Sequence, residues 1–433
     1  MLRIRVAMRS INFKLYFALL FLGLCPAIYS TVRIYFLGQM PQEWAYSIAG
    51  QLSWVNLIYE ILNEAVLLPL FFFMGKVVKD RIAFTNRIRS GLVVTFVLYS
   101  VLSILMMIFV NPLLRLMATD TSILAQSASY IRIESVANVF VMLSSFVLTA
   151  LITLNRTKYI YVLTIIRLLC NVVCDTVFIS TLPCSLSLGV NGIGYSNIVV
   201  NVLLLIVSMF LLAKEDILLF TKNKPSYRWM WEFFEVSSIS GLESFVRNIA
   251  YMLMIVRMVN VVNEQGTYWV ANGFIWGWLL LPVLQLGELI KQEIAVDQEN
   301  IKRNTKGYFM ITTIICFLWI ISIPLWKPFM YYVLGYQDVP QLFTLVLLLL
   351  GFYILFAYQN VYDATFYALG KTHYLLLQSV VTNTVYYGAA FICYSMGLWI
   401  PTLHSIALLF GFGMAFDSVV TYVVYKHMTK KIK

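Results

Sequence analysis

The chain has 433 residues, of which 61% are hydrophobic, 15% are aromatic and 12% are charged, and its formal net charge is +11. A soluble domain carries roughly 45–50% apolar and about 25% charged residues, so this composition excludes a soluble enzyme, a disordered chain and a small disulfide scaffold. Together with a mean hydropathy of +0.82, it predicts an all-α integral membrane protein that crosses the bilayer many times.

Apolar runs long enough to cross a bilayer, about 20 residues each, recur along the whole chain. Twelve such runs are predicted as spans 1–12, near residues 15–37, 46–74, 90–110, 124–153, 159–180, 192–213, 236–262, 268–290, 308–334, 341–369, 374–396 and 402–425. We expect spans 3 and 4 to be separated by a turn at Asn111-Pro112 and by the polar step Asp120-Thr121.

The basic residues label one side of the membrane. Of the 31 basic residues, 24 lie before span 1, after spans 2, 4, 6, 8 and 10, or after span 12, whereas the loops on the other side hold only Arg115 and Lys327. By the positive-inside rule, both termini are cytoplasmic and the number of spans is even. We expect a multi-pass protein of the plasma (inner) membrane, surrounded by the lipid bilayer, that acts as a monomer and binds no nucleic acid.

Two halves of the chain resemble each other. Leu154-Asn-Arg-Thr-Lys-Tyr159 matches Leu369-Gly-Lys-Thr-His-Tyr374 at a distance of 215 residues, and Leu67-Leu-Pro69 matches Leu280-Leu-Pro282 at 213. Six spans per half give both halves the same orientation, as in transporters built from parallel repeats around a central cavity. The predicted domains are an N-lobe at 1–213, a cytoplasmic linker at 214–235 and a C-lobe at 236–433.

Thirteen charged residues are predicted inside the membrane, where such residues are costly and are functional candidates by default. They are Arg33, Arg132, Arg167, Arg247, Arg257, Glu60, Glu64, Glu134, Asp175, Glu243, Glu288, Asp363 and Asp417. Several share a helix face with each other or with an asparagine at a spacing of three or four residues. These stripes are Arg167, Asn171 and Asp175; Asn56, Glu60 and Glu64; Glu243 and Arg247; and Asn360 and Asp363.

Two interpretations of the embedded charges remain open. Either the carboxylates line a hydrated cavity and exchange a proton or a cation, or the charges pair internally and only orient the helices. Glu243 and Arg247 are one turn apart and are expected to pair. Glu60 and Glu64 repel each other, so one of them is either protonated or paired with another span. Asp417 on the last span is expected to stand alone.

Four short motifs resemble the multidrug and toxic compound extrusion (MATE) transporters of the multidrug/oligosaccharidyl-lipid/polysaccharide flippase superfamily. They are Tyr130-Ile-Arg-Ile133, Arg156-Thr-Lys158, Asn171-x-x-x-Asp175 followed by Phe178-Ile179, and Gly189-Val-Asn-Gly192. The resemblance implies twelve helices in two lobes around a central cavity. It also implies export of organic, often cationic, compounds in exchange for protons or sodium ions.

The resemblance also suggests roles for particular residues. Asn171 and Asp175 match the N-lobe cation and proton site, and Asn197 falls where that site often has a hydroxyl residue. Asp363 and Glu243 match C-lobe carboxylates. Arg33 replaces an aspartate of span 1, and we interpret its guanidinium as a tethered cation that pairs with Asp175.

The predicted function is therefore secondary active transport, with alternating access of the two lobes. The candidates for ion or proton coupling are Asp175, Asn171, Asn197, Arg33, Glu60 and Glu64, and the candidates for the substrate cavity are Glu243, Arg247, Asp363, Asn360 and Arg167. Scattered cysteines without a CxxC pair and three isolated histidines argue against a metal site, a cofactor or an enzyme, so H⁺ or Na⁺ is the only ion expected. The alternative is a flippase for a lipid-linked oligosaccharide or another anionic amphiphile, since arginines suit phosphate groups.

Overall fold

A computed structural model of the chain describes residues 10–40, 44–154, 157–219 and 224–431. The regular structure within these ranges is helical, which confirms the predicted all-α fold class. Ten of the helices there are long and apolar enough to cross a membrane, and the number is eleven if the bent pair Gln265–Leu279 and Leu281–Ile294 counts as one span. The bend of that pair is 52° and falls next to Pro282.

The helices lie close to the predicted spans, and we keep the span numbers for them. Spans 1–6 are the helices Phe13–Gly38, Leu52–Gly75 (preceded by the short helix Ala45–Gly50), Arg81–Leu116, Leu124–Thr153, Thr157–Phe178 and Asn191–Lys214. Span 7 combines Met230–Tyr251 and Arg257–Val261, span 8 combines Gln265–Phe274 and Leu281–Val296, and spans 9 and 10 are Asn300–Pro328 and Val339–Ala368. Span 11 combines Thr372–Val381 and Gly388–Ser395, and span 12 is Leu403–Lys431. Wider π-helical turns lie at Met252–Val256, Ile275–Leu279, Phe329–Val333 and Thr382–Tyr387.

The turn between spans 3 and 4 lies further along the chain than predicted. Span 3 continues through Pro112 to Leu116, so the prediction of a turn at Asn111-Pro112 is wrong. A proline near the end of a long membrane helix frees few backbone groups, and the helix can absorb them. The chain instead reverses after Leu116, where Ala118 has a φ of 54°. In this loop the N–H of Ser122 donates to the Asp120 carboxylate and holds the pKa of Asp120 below its usual range.

The chain packs into two compact units. One, the first-half unit, is Phe36–Met252, and the other, the second-half unit, combines Met1–Tyr35 with Leu253–Lys433. The first helix of span 7, Met230–Tyr251, therefore packs with spans 2–6, and most of span 1 packs with spans 8–12. The predicted lobes divide the chain by sequence equivalence, whereas these units divide it by contact, and the two divisions differ in the placement of spans 1 and 7.

In the second-half unit, polar contacts near the start of span 1 join it to spans 8 and 9. Glu293 of span 8 accepts hydrogen bonds from the N–H of Asn12 at 2.7 Å and from the Tyr308 hydroxyl of span 9 at 2.5 Å. Further along span 1, Thr31 Oγ1 accepts a hydrogen bond of 2.9 Å from the Trp278 indole of span 8. These contacts lie within one unit and explain why span 1 belongs to it.

In the first-half unit, two glycines at the start of span 6 allow close helix contact. A Cβ on Gly192 would lie 2.7 Å from the backbone oxygen of Phe178 on span 5, and one on Gly194 would lie 2.6 Å from Ile133 Cγ2 on span 4. Neither distance is compatible with a methyl group without movement of the neighbour. The glycines thus set how closely span 6 approaches spans 4 and 5, which carry polar residues described below.

We expect Gly192→Ala to lower the thermal unfolding midpoint of the purified protein. The new methyl group would meet backbone rather than a mobile side chain, so the change resembles overpacking, which costs about 1–3 kcal/mol. Gly351→Ala is the matched control, because a Cβ at Gly351 meets nothing within 4 Å. There the higher helix propensity of alanine should leave stability unchanged or raise it by up to about 1 kcal/mol. An unchanged midpoint for Gly192→Ala would contradict the assigned packing.

Candidate functional site

Span 5 carries the first two predicted site residues on one face. The side chain of Asp175 is fully buried and that of Asn171, one turn earlier, is 4% exposed. Asn171 Nδ2 donates to the backbone oxygen of Arg167 at 2.9 Å. The backbone oxygen of Asp175 accepts from the N–H groups of Ile179 and Ser180, so span 5 ends directly after this acid. The structure therefore buries both residues near one end of the span.

A second buried acid in the first-half unit contacts the third predicted residue. Asn197 Nδ2 of span 6 donates to Glu134 Oε1 of span 4 at 2.8 Å, and the Glu134 side chain is 3% exposed. Asn201 Nδ2 donates to the backbone oxygen of Asn197 at 2.8 Å, and Ser144 Oγ donates to Asn201 Oδ1 at 3.4 Å. The sequence predicts Glu134 inside the membrane but not as a site residue. Its position directly after the Tyr130–Ile133 motif is the signal that could have identified it.

Spans 2 and 7 are joined by an ion pair within the first-half unit. Arg247 Nη2 lies 2.6 Å from Glu64 Oε1 and 3.8 Å from Glu60 Oε1. The expectation that one of the two glutamates pairs with another span is met by Glu64. The side chain of Glu243, the partner expected for Arg247, lies outside the described part of the structure. Helical spacing within span 7 does not indicate this ion pair, because Arg247 and Glu64 lie on different helices.

In the second-half unit, Asp417 of span 12 is the centre of a hydrogen-bond cluster. It accepts from Gln378 Nε2 at 2.7 Å, from Thr382 Oγ1 at 2.7 Å and from Gln359 Nε2 at 2.5 Å. Thr382 begins the π-helical turn of span 11. The prediction that Asp417 stands alone is wrong, because its partners lie on spans 10 and 11 and are not visible from span 12 itself.

The same cluster contains Asp363, with a very different set of partners. Gln359 Nε2 also donates to Asp363 Oδ2, at 3.1 Å, so one amide group joins the two acids. Ser418 Oγ fixes that amide by donating to Gln359 Oε1 at 2.6 Å. Among the residues that the structure describes, Asp363 Oδ1 and Gln378 Oε1 are buried and have no hydrogen-bond partner.

This arrangement gives the two acids different chemical capacities. Asp417 has three donors, which is the environment that stabilises an ionised carboxylate. Asp363 has one donor, from Gln359, and its Oδ1 is buried without a hydrogen-bond partner among the described residues. Asp363 can therefore accept a proton or a cation, whereas the Asp417 carboxylate is already occupied by donors. Lys291 lies close enough to act on Asp363 electrostatically, but its ammonium group is paired with Glu288 at 2.7 Å.

Asn360 and Arg33 are two further predicted site residues. Asn360 Nδ2 donates to the backbone oxygen of Val283 on span 8 at 2.9 Å, so it does not join Asp363. Arg33 is a half-buried residue of the second-half unit, whereas Asp175 belongs to the first-half unit. The tethered-cation interpretation of Arg33 stays a prediction. Within the described ranges, no group of three or more histidine, cysteine, aspartate and glutamate side chains is placed to hold a metal ion.

Comparisons with known proteins agree with the resemblance noted in the sequence. Residues 78–177 match the MatE family model. A structure described as the inward-facing conformation of a multidrug resistance MATE family transporter of the MOP superfamily aligns with a TM-score of 0.76 and 17% identity, over 99% of this chain and 97% of that chain. The outward-facing conformation of such a transporter aligns with a TM-score of 0.70 and 15% identity, over 98% and 97%.

A third structure carries a different description. It is a MOP superfamily transporter from Pyrococcus furiosus whose reverse polarity of binding pocket suggests a different function, and it aligns with a TM-score of 0.72 and 17% identity over 98% of this chain and 97% of that chain. No curated protein matched the chain in sequence. Residues 78–177 therefore match the MatE family model, and the chain as a whole has the fold of the MATE transporters.

Proposed function

We propose that this chain is a secondary active transporter that exports organic compounds, cationic ones among them, in exchange for protons or sodium ions. Alternating access is supported by the fold, since the matched structures include both inward-facing and outward-facing transporters. The observation that carries the proposal is the pair Asp363 and Asp417, joined by the Gln359 amide and supplied with unequal numbers of donors. When two acids interact strongly, their protons leave in two steps that belong to the pair and not to either residue.

We also propose that the transporter acts as a monomer in the inner membrane with both termini in the cytoplasm. The distribution of basic residues supports this orientation, because 24 of the 31 lie on one side of the predicted spans. The buried acids Asp175 and Glu134 of the first-half unit are proposed as a second place where a proton or cation is held.

Transport by reconstituted protein tests the proposal. Proteoliposomes should accumulate a planar fluorescent organic cation when a pH or sodium gradient is imposed, and should not do so without a gradient. Asp175→Asn should reduce this accumulation to the level of protein-free vesicles, because asparagine keeps the shape of the side chain but cannot carry the charge. Asp120→Asn is the matched control, since Asp120 lies in the loop between spans 3 and 4, and it should transport at the wild-type rate.

Gradient-independent equilibration of the dye by wild-type protein would contradict coupled exchange. Full activity of Asp175→Asn would remove this acid from the coupling mechanism and leave the Asp363 cluster as the remaining candidate.

A flippase for an anionic amphiphile is the second candidate, and the embedded arginines favour it. Five arginines are predicted inside the membrane, and one transporter of this fold is described as having a binding pocket of reversed polarity. The thermal unfolding midpoint of the purified protein distinguishes the two candidates. Stabilisation by polyprenyl-phosphate sugars and not by planar organic cations would support the flippase and exclude multidrug export.

A further inference from the structure

Arg167 has an unusual environment for a charged residue in a membrane span. It stands near the middle of span 5, which is Thr157–Phe178. Its guanidinium forms neither a hydrogen bond nor an ion pair with any residue in the part of the chain that the structure describes. The nearby amide of Asn171 contacts the backbone oxygen of Arg167 instead. Arginines at this depth are almost always paired, so the absence of a protein partner needs an explanation.

The guanidinium borders a small cavity between spans 4, 5 and 6. The volume of this cavity is about 30 Å³, and its lining consists of Ser144, Leu148, Leu163, Thr164, Arg167, Leu204 and Ser208. A volume of about 10–15 Å³ is enough for one water molecule. The space therefore suits a monatomic ion or one or two waters, and it is too small for a phosphate group or an organic molecule.

The polar groups around the cavity are the guanidinium, which only donates, and three hydroxyls, which can donate or accept, and the lining contains no carboxylate. The hydroxyls of Ser144, Thr164 and Ser208 each donate to a backbone oxygen of their own helix, at 2.9, 2.8 and 2.9 Å. Ser144 Oγ also contacts Asn201 Oδ1 at 3.4 Å. Each hydroxyl has one proton that can rotate towards an anion. With the five N–H groups of the arginine, the cavity offers positive charge and hydrogen-bond donors to whatever occupies it.

By the internal sequence repeat, this cavity is equivalent to the cluster around Asp363 and Asp417. At a distance of 215 residues, Ser144, Leu148, Leu163, Thr164 and Arg167 correspond to Gln359, Asp363, Gln378, Ser379 and Thr382. At 213 residues, Leu204 and Ser208 correspond to Asp417 and Thr421. The acid cluster of the second-half unit and the arginine cavity of the first-half unit thus occupy equivalent positions of the repeat. Both positions are polar, and their charges are opposite.

We propose that Arg167, Ser144, Thr164 and Ser208 bind one small monatomic anion of the size of chloride. The anion neutralises the arginine in the middle of the bilayer and accepts hydrogen bonds from the guanidinium and the hydroxyls. Charge selects an anion over a cation at this position, and the cavity volume selects a halide over larger anions. This inference goes beyond the proposed function and does not depend on it.

Halide binding to the purified wild-type protein tests the proposal directly. Replacing sodium gluconate by sodium chloride at constant ionic strength should raise the thermal unfolding midpoint in a saturable way. The ³⁵Cl NMR line should broaden in the presence of the protein, and bromide should compete for the same site. Arg167→Gln should reduce both effects to the level of buffer alone. Arg132→Gln is the matched control, because Arg132 is an exposed arginine of span 4 that does not line the cavity.

A second variant keeps the test informative if Arg167→Gln does not fold. Thr164→Val removes one hydroxyl at nearly constant volume and retains the arginine, so it should weaken chloride binding several-fold while the protein stays folded. Equal unfolding midpoints in chloride and gluconate, with no ³⁵Cl broadening by the wild type, would overturn the proposal and leave water as the occupant. An equal loss of chloride binding in Arg132→Gln would also overturn it. Neither measurement involves transport, so failure here is distinguishable from failure of the proposed function.

Discussion

Asp363→Asn should reduce gradient-driven transport to the level of protein-free vesicles while leaving the protein folded. Asparagine can still accept the hydrogen bond from Gln359, and its new N–H group points to a region where Asp363 Oδ1 has no partner among the described residues. The substitution therefore removes the exchangeable charge without breaking the cluster. The free energy of unfolding should change by less than about 1 kcal/mol, since the new N–H donor takes the place of an acceptor that had no partner.

Asp417→Asn is the informative comparison, because the same substitution should lower stability there, whereas Asp363→Asn leaves it nearly unchanged. The Asp417 carboxylate acts only as an acceptor in its hydrogen bonds with Gln359, Gln378 and Thr382. An asparagine N–H group would face one of these donors, and a buried polar group left unpaired costs roughly 1–3 kcal/mol. Transport and unfolding should be measured on both variants. Normal transport by Asp363→Asn, or an unchanged unfolding midpoint for Asp417→Asn, would contradict the assignment of the two acids.

Arg247→Gln should destabilise the first-half unit by separating spans 2 and 7. The side chains of Arg247, Glu64 and Glu60 are 36%, 20% and 44% exposed. The loss of stability should therefore fall between that of an exposed ion pair and that of a buried one. Breaking an exposed ion pair costs up to about 1 kcal/mol. Removing one partner of a fully buried pair costs about 3–5 kcal/mol. We expect a lower thermal unfolding midpoint in detergent, measured against the wild type.

The two glutamates should differ in their ability to rescue this variant. Adding Glu64→Gln should recover most of the lost stability, because Glu64 lies 2.6 Å from the guanidinium and is the charge left unpaired. Adding Glu60→Gln should recover less, because Glu60 lies 3.8 Å away and is more exposed. Equal rescue by the two substitutions would mean that the arginine acts on both carboxylates as a diffuse charge and not through one contact.

The positions of the spans could be predicted because they depend on length and apolar content alone. Span 4 was predicted at 124–153 and is the helix Leu124–Thr153, and most other ends agree within a few residues. The predicted turn at Pro112 is absent because the continuous apolar run outweighs the local turn signal. A membrane helix has no water to satisfy a broken end, so it continues through residues that would stop a soluble helix.

The composition of the site was harder to predict than its location in the sequence. Embedded charges identified Asp175, Asp363 and Asp417, because any charge in a long apolar run is conspicuous. Their partners are uncharged or lie on another span, as with Gln359 and Thr382 around Asp417. Helical spacing indicates only neighbours on the same helix. It therefore predicts that Arg247 pairs with Glu243 of its own span and that Asp417 has no partner. Tertiary contact decides such cases, and one sequence contains little information about it.

The exchange of spans 1 and 7 between the two units has a consequence for biosynthesis. Span 1 is synthesised before the helices it packs with, which follow only after the whole of Phe36–Met252. At about 5–20 residues per second, this delay amounts to roughly 10–40 s on the ribosome. During that interval span 1 sits in the membrane without its final neighbours, and the first-half unit cannot close until span 7 is inserted. Assembly is therefore tied to the order of translation, and a ribosome that stalls within span 7 leaves both units incomplete.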